Sequence, residues 1–309
     1  MSKQIESVTH ENGKRFYRSP KTGNDYPSVT TILSKFEDRS YLKKWREGFG
    51  DNDTAKQLSN HFASQGTRVH SCIEHYLKDG RTFDFSKYEA DKKIPDELVD
   101  EIKLRSFAFE PFLQNINLVQ SEEKIIWERP APYGGWFGFG GTPDLIGHAN
   151  TFDWLTDIGS KEKLSDEGGF FIADFKNWRK RKSEADCIKP ALQLAAYAAA
   201  KNSELSVENS IRHGFVLGSS VSEVKKIPAL QIFYLDLEKL DFYWSVFFEF
   251  VKKYHGLDST VTWSNFKAKA VGYYLDGKDE ETGKNIWAKT ETNFLPQKLQ
   301  IGLDTPPQE

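Results

Sequence analysis

The chain has 309 residues, two cysteines and a formal net charge of −3, from 42 basic and 45 acidic residues. Aromatic residues make up 14% of it, which provides apolar area for a core and excludes disorder of the whole chain. The cysteines, Cys72 and Cys187, are too few for a disulfide framework or a four-cysteine iron–sulfur or zinc site. Because the net charge is slightly negative, any contact with nucleic acid is expected in a local groove and not over a whole face.

The N-terminus lacks the apolar core of a secretion signal, and its Glu6 and Glu11 are atypical of a transit peptide. No apolar run approaches the length needed to span a bilayer. These features predict a cytoplasmic protein without membrane contact, in which both thiols stay reduced.

Residues 1–117 are predicted to form a mainly helical N-terminal region. Ser28 can cap a short helix, and residues 53–78 carry apolar side chains at helical spacing. Gly66 interrupts this long pattern, which indicates either a close approach of another segment or a break between two helices. Pro95 opens a further predicted helix, over about 96–116.

Residues 118–255 are predicted to form an α/β or α+β core, and the polar tail 256–309 is left unassigned. Aromatic and β-branched residues, with Gly and Pro between them, predict three strands and then two more. The predicted strands cover 124–130, 136–148, 169–178, 211–219 and 229–235. Helices are predicted at 186–203 and 237–255, and the polar segment 151–169 is interpreted as a hairpin connection.

Three residues at the second and third strands carry the chemistry: Asp144, Asp174 and Lys176. Asp174 and Lys176 are two residues apart on one strand, so they share a face, and Asp144 joins them if the two strands pair as a hairpin. Two carboxylates without nearby cysteines suit Mg²⁺ or Mn²⁺. A protonated lysine beside them can orient water or neutralise charge on a phosphoryl group.

Two helices supply further candidates. His70 lies on the long helix with Glu74 one turn later, so the pair could complete a metal site, although a lone histidine is more often structural. Gln193 and Tyr197 are also one turn apart, and their spacing alone favours an ordinary core position.

Together these pieces resemble the RecB-like branch of the PD-(D/E)XK nucleases, most of all the mitochondrial genome maintenance exonuclease family and its bacterial and phage relatives. The resemblance runs in family order from Pro27 to about Ala200. It is carried by PSVTTIL (27–33), LKKW (42–45), GTRVHSCIEHYL (66–77), GTPDLI (141–146), IADFKN (172–177) and KPALQLAAYAAA (189–200). It implies a restriction-endonuclease-like core, in which a mixed central sheet is flanked by helices.

The resemblance also implies a role for each matching residue. Asp144, Asp174 and Lys176 match the catalytic set, while His70, Asp144, Asp174 and the Phe175 backbone carbonyl match the metal ligands. Gln193 and Tyr197 match a helix motif that braces the site near the DNA backbone. Further candidates are Arg68 on the DNA side and, as supporting carboxylates, Glu74, Glu122 and Glu123. An iron–sulfur cluster, present in some relatives, cannot be built here.

The expected activity is that of a Mg²⁺- or Mn²⁺-dependent DNA exonuclease acting on single-stranded ends in replication, recombination or repair, in a bacterial or phage-infected cell. Basic and aromatic residues of the N-terminal helices, Lys43, Lys44, Trp45, Arg46 and Arg68, could form an arch that covers a strand. A recombination exonuclease that resects duplex ends is one alternative, and a non-catalytic DNA-binding subunit is another. A recombination or single-strand-binding protein is a conceivable partner.

Overall fold

The computed structural model describes residues 4–10, 13–37, 46–48, 52–155, 157, 168–180, 182–221, 228–259 and 261–263. Lys43, Lys44 and Trp45 of the expected arch, and most of the tail 256–309, lie outside these ranges. In the described part the chain is a mixed α/β protein, with a mixed central sheet flanked by helices.

The strands and helices are numbered in chain order. The strands are β1 (Glu6–Thr9), β2 (Arg15–Arg18), β3 (Asp25–Pro27), β4 (Asn117–Ser121), β5 (Ile125–Pro130), β6 (Trp136–Gly141), β7 (Leu145–Ala149), β8 (Gly169–Asn177), β9 (His213–Val221) and β10 (Pro228–Leu235). The helices are α1 (Val29–Phe36), α2 (Asn52–Lys78), α3 (Ser86–Glu89), α4 (Asp96–Phe107), α5 (Glu110–Leu113), α6 (Glu184–Asn202) and α7 (Leu237–Tyr254). Short 3₁₀ turns lie at Asp153–Leu155 and Val207–Asn209.

The central sheet has the strand order β10-β9-β8-β7-β4. β8 and β9 are parallel, and the other neighbouring pairs are antiparallel. Side chains of β8 alternate between two cores: Phe171, Ala173 and Phe175 pack with α2 and α4, whereas Ile172 packs with α6 and α7. Because β8 is buried on both faces, it is a nearly continuous apolar run, and Asp174 within it stands out.

Two smaller sheets border the central one. β1, β2 and β3 form an antiparallel sheet, and β5 pairs with β6 as a separate hairpin. The N-terminal region 1–117, which the sequence predicts to be mainly helical, therefore also contains three strands between Glu6 and Pro27. Three-to-four-residue strands carry too little alternation to be recognised, although Gly13 and Gly23, both at positive φ, mark the turns between them.

Other boundaries also differ from the prediction. The strand predicted at 136–148 is two strands, because β6 ends at Gly141 and Pro143 has no N–H to continue a ladder. The helix predicted after Pro95 ends at Phe107, since the ring of Pro111 would clash with the carbonyl at 107. Helix α2 is unbroken through Gly66, and the hairpin connection predicted for 151–169 does join the antiparallel strands β7 and β8. None of the helices within the described residues is both long and apolar enough to cross a bilayer.

Gly66 and Gly141 differ in how much space a side chain would have. A Cβ at Gly66 would lie 3.8 Å from the Asn177 Cβ, an ordinary contact. A Cβ at Gly141 would lie 2.1 Å from Cε1 of Tyr197, whose ring is buried. The strand β6 therefore approaches α6 more closely there than any other residue would allow.

We expect Gly66→Ala to raise the free energy of unfolding by up to about 1 kcal/mol, because alanine is the better helix former and has room. Gly141→Ala should lower it by about 1–3 kcal/mol, because the buried Tyr197 ring must move. Urea denaturation of both variants measures the difference. A destabilised Gly66→Ala, or an unaffected Gly141→Ala, would contradict the packing described.

Candidate functional site

The pairing of β7 with β8 brings the two aspartates together. Leu145 lies opposite Ala173, and Ile146 lies opposite Ile172. Continuing this antiparallel register by one residue places Asp144 opposite Asp174, and Lys176 shares the face of Asp174 two residues further along β8. The three residues singled out in the sequence therefore converge on one side of the sheet, the side covered by α6.

The backbone of Phe175 ties this cluster to α2. Its N–H donates to Oδ2 of Asp144 at 2.8 Å, and its carbonyl accepts from Nε2 of His70 at 2.8 Å. The other ring nitrogen of His70 lies 3.7 Å from Oδ1 of Asp144. One residue of β8 thus fixes both a carboxylate from β7 and an imidazole from α2.

Asp174 and Lys176 form an ion pair in which the carboxylate is the more buried partner. Oδ2 of Asp174 lies 2.5 Å from Nζ of Lys176, and the two side chains are 3% and 29% exposed. That oxygen is buried and has no hydrogen bond of regular geometry. Burial raises the pKa of Asp174 to about 6, with Lys176 opposing the rise and Asp144 adding to it. Additional positive charge at this point would therefore stabilise the ionised carboxylate.

The lysine keeps its proton. Burial lowers the pKa of Lys176, but the charges of Asp174 and Asp144 outweigh that effect and leave the pKa above its ordinary value. At neutral pH the side chain is an ammonium, which can donate hydrogen bonds and neutralise negative charge but cannot act as a base.

The three supporting carboxylates, Glu74, Glu122 and Glu123, differ in their surroundings. Glu74 is held by an ion pair with Lys78, which lowers its pKa. Partial burial raises the pKa of Glu122, and Glu74 and Asp144 add to the rise, so Glu122 lies within electrostatic reach of the cluster. Glu122 has a left-handed backbone, with φ of 51°. Glu123 is exposed.

Arg68 is not brought to this cluster. Two residues span about 200° of a helix, so Arg68 and His70 lie on opposite flanks of the buried face of α2. The Arg68 carbonyl accepts from the Tyr88 hydroxyl at 3.3 Å.

Gln193 and Tyr197 of α6 brace the segment that carries Asp144. Nε2 of Gln193 donates to the Tyr197 hydroxyl at 3.2 Å, and burial raises the pKa of that phenol above its ordinary value. The Tyr197 ring packs directly on Gly141, three residues before Asp144. On the other side, the Tyr17 hydroxyl is 3.0 Å from Oγ1 of Thr142. Two tyrosines thus hold the turn between β6 and β7.

A buried polar network behind the cluster was not predicted from the sequence. Nδ2 of Asn177 donates to Oε1 of Gln65, which is fully buried. Arg105, 3% exposed, donates to Oε1 of Glu101 at 2.7 Å and to the Trp178 carbonyl at 2.8 Å. The sequence does contain a signal for Gln65. This residue falls on the apolar face that Val69 and Tyr76 define, and a buried polar residue there needs hydrogen-bond partners.

The donors suit a hard divalent cation. Carboxylate oxygens and a backbone carbonyl are ligands that Mg²⁺ and Mn²⁺ prefer. The buried Oδ2 of Asp174, without a regular hydrogen bond, would accept such an ion. Within the part of the chain that the structure describes, no three His, Cys, Asp or Glu side chains are set to hold one ion. The donors bond to the Phe175 backbone and to Lys176 instead.

Comparison with known proteins adds little. No family model matches the chain, and no curated protein matches it. Among solved structures it is similar to a protein described as SSO0001, with 13% sequence identity and a TM-score of 0.25. The match covers 60% of this chain and 85% of that one. A similarity this weak carries no argument about fold family or function.

Proposed function

We propose that this protein is a metal-dependent DNA nuclease with a PD-(D/E)XK core, which hydrolyses phosphodiester bonds from single-stranded DNA ends. One observation supports it above all: Asp144 and Asp174 each lie one residue beyond the last pair of the β7–β8 ladder, close enough for their charges to interact, with Lys176 beside Asp174. Phosphodiester hydrolysis needs negative ligands for a Lewis acid and a fixed positive group next to them. This cluster offers both on rigid strands.

Asp144, Asp174, the Phe175 carbonyl and His70 would hold one Mg²⁺ or Mn²⁺ ion. Such an ion supplies Lewis acidity that polarises the scissile phosphate. The chain's own contribution comes from Lys176. Since its pKa lies above the ordinary value, the ammonium orients the attacking water by donating to it, and it neutralises charge that builds on the phosphoryl oxygens.

Asp174 and the network behind it serve positioning. The ion pair with Asp174 holds the Lys176 ammonium beside the carboxylates, and Asn177, the next residue, is bonded to Gln65 of α2. The Gln193–Tyr197 pair and Gly141 fix the turn that delivers Asp144. The reacting groups are therefore held in position before substrate binds. Such preorganisation is the main source of electrostatic catalysis.

We expect Asp174→Ala and Lys176→Ala each to reduce cleavage of a labelled oligonucleotide by at least about 10²-fold, because each removes charge that acts on the transition state. Asp258→Ala and Lys93→Ala, at exposed positions, are the matched controls and should cleave normally. Circular dichroism checks that all four variants are folded. Near-normal turnover of a folded Asp174→Ala or Lys176→Ala would show that the site is wrongly assigned.

His70→Ala should weaken Mn²⁺ binding on the order of 10-fold, since metal affinity falls by such factors when the shell around the ion is disturbed. His75→Ala is the control, because His75 lies on the same helix but pairs with Asp79 at the surface. Calorimetric titration with Mn²⁺ and a thermal melt are measured on both variants. A lowered melting temperature with unchanged Mn²⁺ affinity would identify His70 as a structural histidine.

Activity should require a free end and should be faster on single strands than on duplex. A chain with 42 basic and 45 acidic residues has little bulk charge for neutralising duplex phosphates. The test compares end-labelled linear single strands, blunt duplex and closed single-stranded circles with Mg²⁺ or Mn²⁺. Degradation of the circle would exclude the requirement for an end. Faster digestion of duplex would favour the recombination exonuclease, and binding without cleavage would favour the non-catalytic subunit.

A further inference from the structure

The longest uninterrupted basic run in the sequence follows the catalytic strand directly. Arg179, Lys180, Arg181 and Lys182 begin three residues after Lys176. Arg179 and Lys180 are exposed and Lys182 is half-buried, whereas Arg181 lies outside the described residues. We call the described residues of this connection, 178–180 and 182–183, the basic loop. In a chain of net charge −3, it concentrates positive charge beside the candidate site.

The backbone at both ends of the basic loop is fixed by hydrogen bonds. The Trp178 N–H donates to the Ser219 carbonyl at 2.8 Å, and the Trp178 carbonyl accepts from Nη1 of Arg105 at 2.8 Å. At the other end, the side-chain amide of Gln231 bonds both backbone groups of Lys182, at 2.9 Å from its N–H and 2.5 Å from its carbonyl. The described residues on either side of Arg181 are therefore held in place before any ligand binds.

Packing reinforces this arrangement. The Trp178 ring lies on Gly218, where a Cβ would come within 1.9 Å of it, and meets the Phe233 ring edge-on. Arg105 is almost fully buried, an arrangement that is costly unless its donors are satisfied, and one of its acceptors is the loop itself. Ser183 and Asp186 then form a capping box that starts α6. A loop that only exposed flexible lysine side chains to solvent would not require a backbone held by these contacts.

The loop also lies where a substrate would pass. It leaves the carboxyl end of β8 and reaches Gln231 on β10, so it crosses the end of the parallel pair β8–β9. Ligands of α/β sheets bind outside the carboxyl ends of their strands. Lys180 is the fourth residue after Lys176, so their Cα atoms are at most about 14 Å apart. That span corresponds to about four phosphates of a stacked strand.

We propose that the basic loop is a preorganised phosphate-binding loop, which holds the backbone of the DNA strand a few nucleotides from the scissile bond. This inference rests on the nuclease function proposed above. Charge complementarity identifies the occupant: phosphates repeat along a strand, and Arg179 and Lys180 are consecutive, exposed cations that directly follow the anchored Trp178. An acidic segment of another protein is the competing occupant.

The test measures binding and cleavage separately, in the full-length protein. Binding of a labelled single-stranded 20-mer is followed by fluorescence anisotropy over a range of salt concentrations, with Ca²⁺ in place of Mg²⁺. We expect Arg179→Gln with Lys180→Gln to weaken binding about 10-fold and to reduce the salt slope by about 1.4, or about 0.7 for each phosphate that is no longer neutralised. Lys180→Gln alone should give half of that slope change and guards against misfolding of the double variant.

Lys92→Gln with Lys93→Gln is the control of equal charge, since both side chains are exposed on the connection that follows α3. This control should change the affinity and the salt slope less than the loop variant Arg179→Gln with Lys180→Gln does. Gln231→Leu keeps every cation but releases the loop, so it should weaken binding while the slope stays at the wild-type value. Equal effects of the loop and control variants would overturn the proposal, as would loop variants that lose binding to poly-glutamate but not to DNA.

Cleavage of a p-nitrophenyl ester of thymidine 5′-monophosphate separates this inference from the proposed function. The ester has no phosphate beyond the reacting one, so it offers the basic loop nothing to hold, and the loop variants should hydrolyse it at the wild-type rate. If the wild-type protein hydrolyses neither the ester nor DNA, the nuclease function fails, while the salt slopes still decide whether the loop binds phosphates. Loss of ester hydrolysis in a folded Lys180→Gln variant would overturn the loop's assigned role.

Discussion

The backbone of Phe175 is the interaction on which the candidate site depends. Its N–H holds Asp144 and its carbonyl holds His70, so two segments distant in sequence meet at one residue of a buried strand. Both groups are free for this purpose only because β8 ends its pairing with β7 at Ala173, just before Asp174. The shortness of β7 is therefore a requirement of the site, and Pro143 enforces it by removing the next ladder donor.

The same constraint explains why a carboxylate is buried in β8. Since the β7 ladder stops short of it, Asp174 sits between an apolar strand and α6, where its ionised form is stabilised mainly by Lys176. Removing either partner would leave an uncompensated charge, so the pair is expected to persist together or not at all. A fold selected for stability alone would favour an apolar residue here, and the buried ion pair is therefore a feature that supports the proposed nuclease function.

The sequence predicted those parts of the molecule that follow from local periodicity. Alternation placed Asp174 and Lys176 on one face, and helical spacing placed His70 and Tyr197 on helices. It did not predict the sheet β1–β3, whose strands are too short to show a period. Nor did it predict the network of Gln65, Asn177 and Arg105, because those partners lie about 70 to 110 residues apart in the chain and their pairing exists only after the sheet has formed.

The buried polar network connects the candidate site to the basic loop. Asn177 and Trp178 directly follow Lys176. The Asn177 side chain donates to Gln65 of α2, and the Trp178 carbonyl accepts from Arg105 of α4. A disturbance in either helix would therefore reach the lysine and the basic loop through two or three residues of backbone. Because α2 also carries His70, its placement bears on the metal donors, the lysine and the loop at once. The N-terminal helices therefore help to position the candidate site. Such coupling would suit a nuclease in which the same helices guide the strand that is cut.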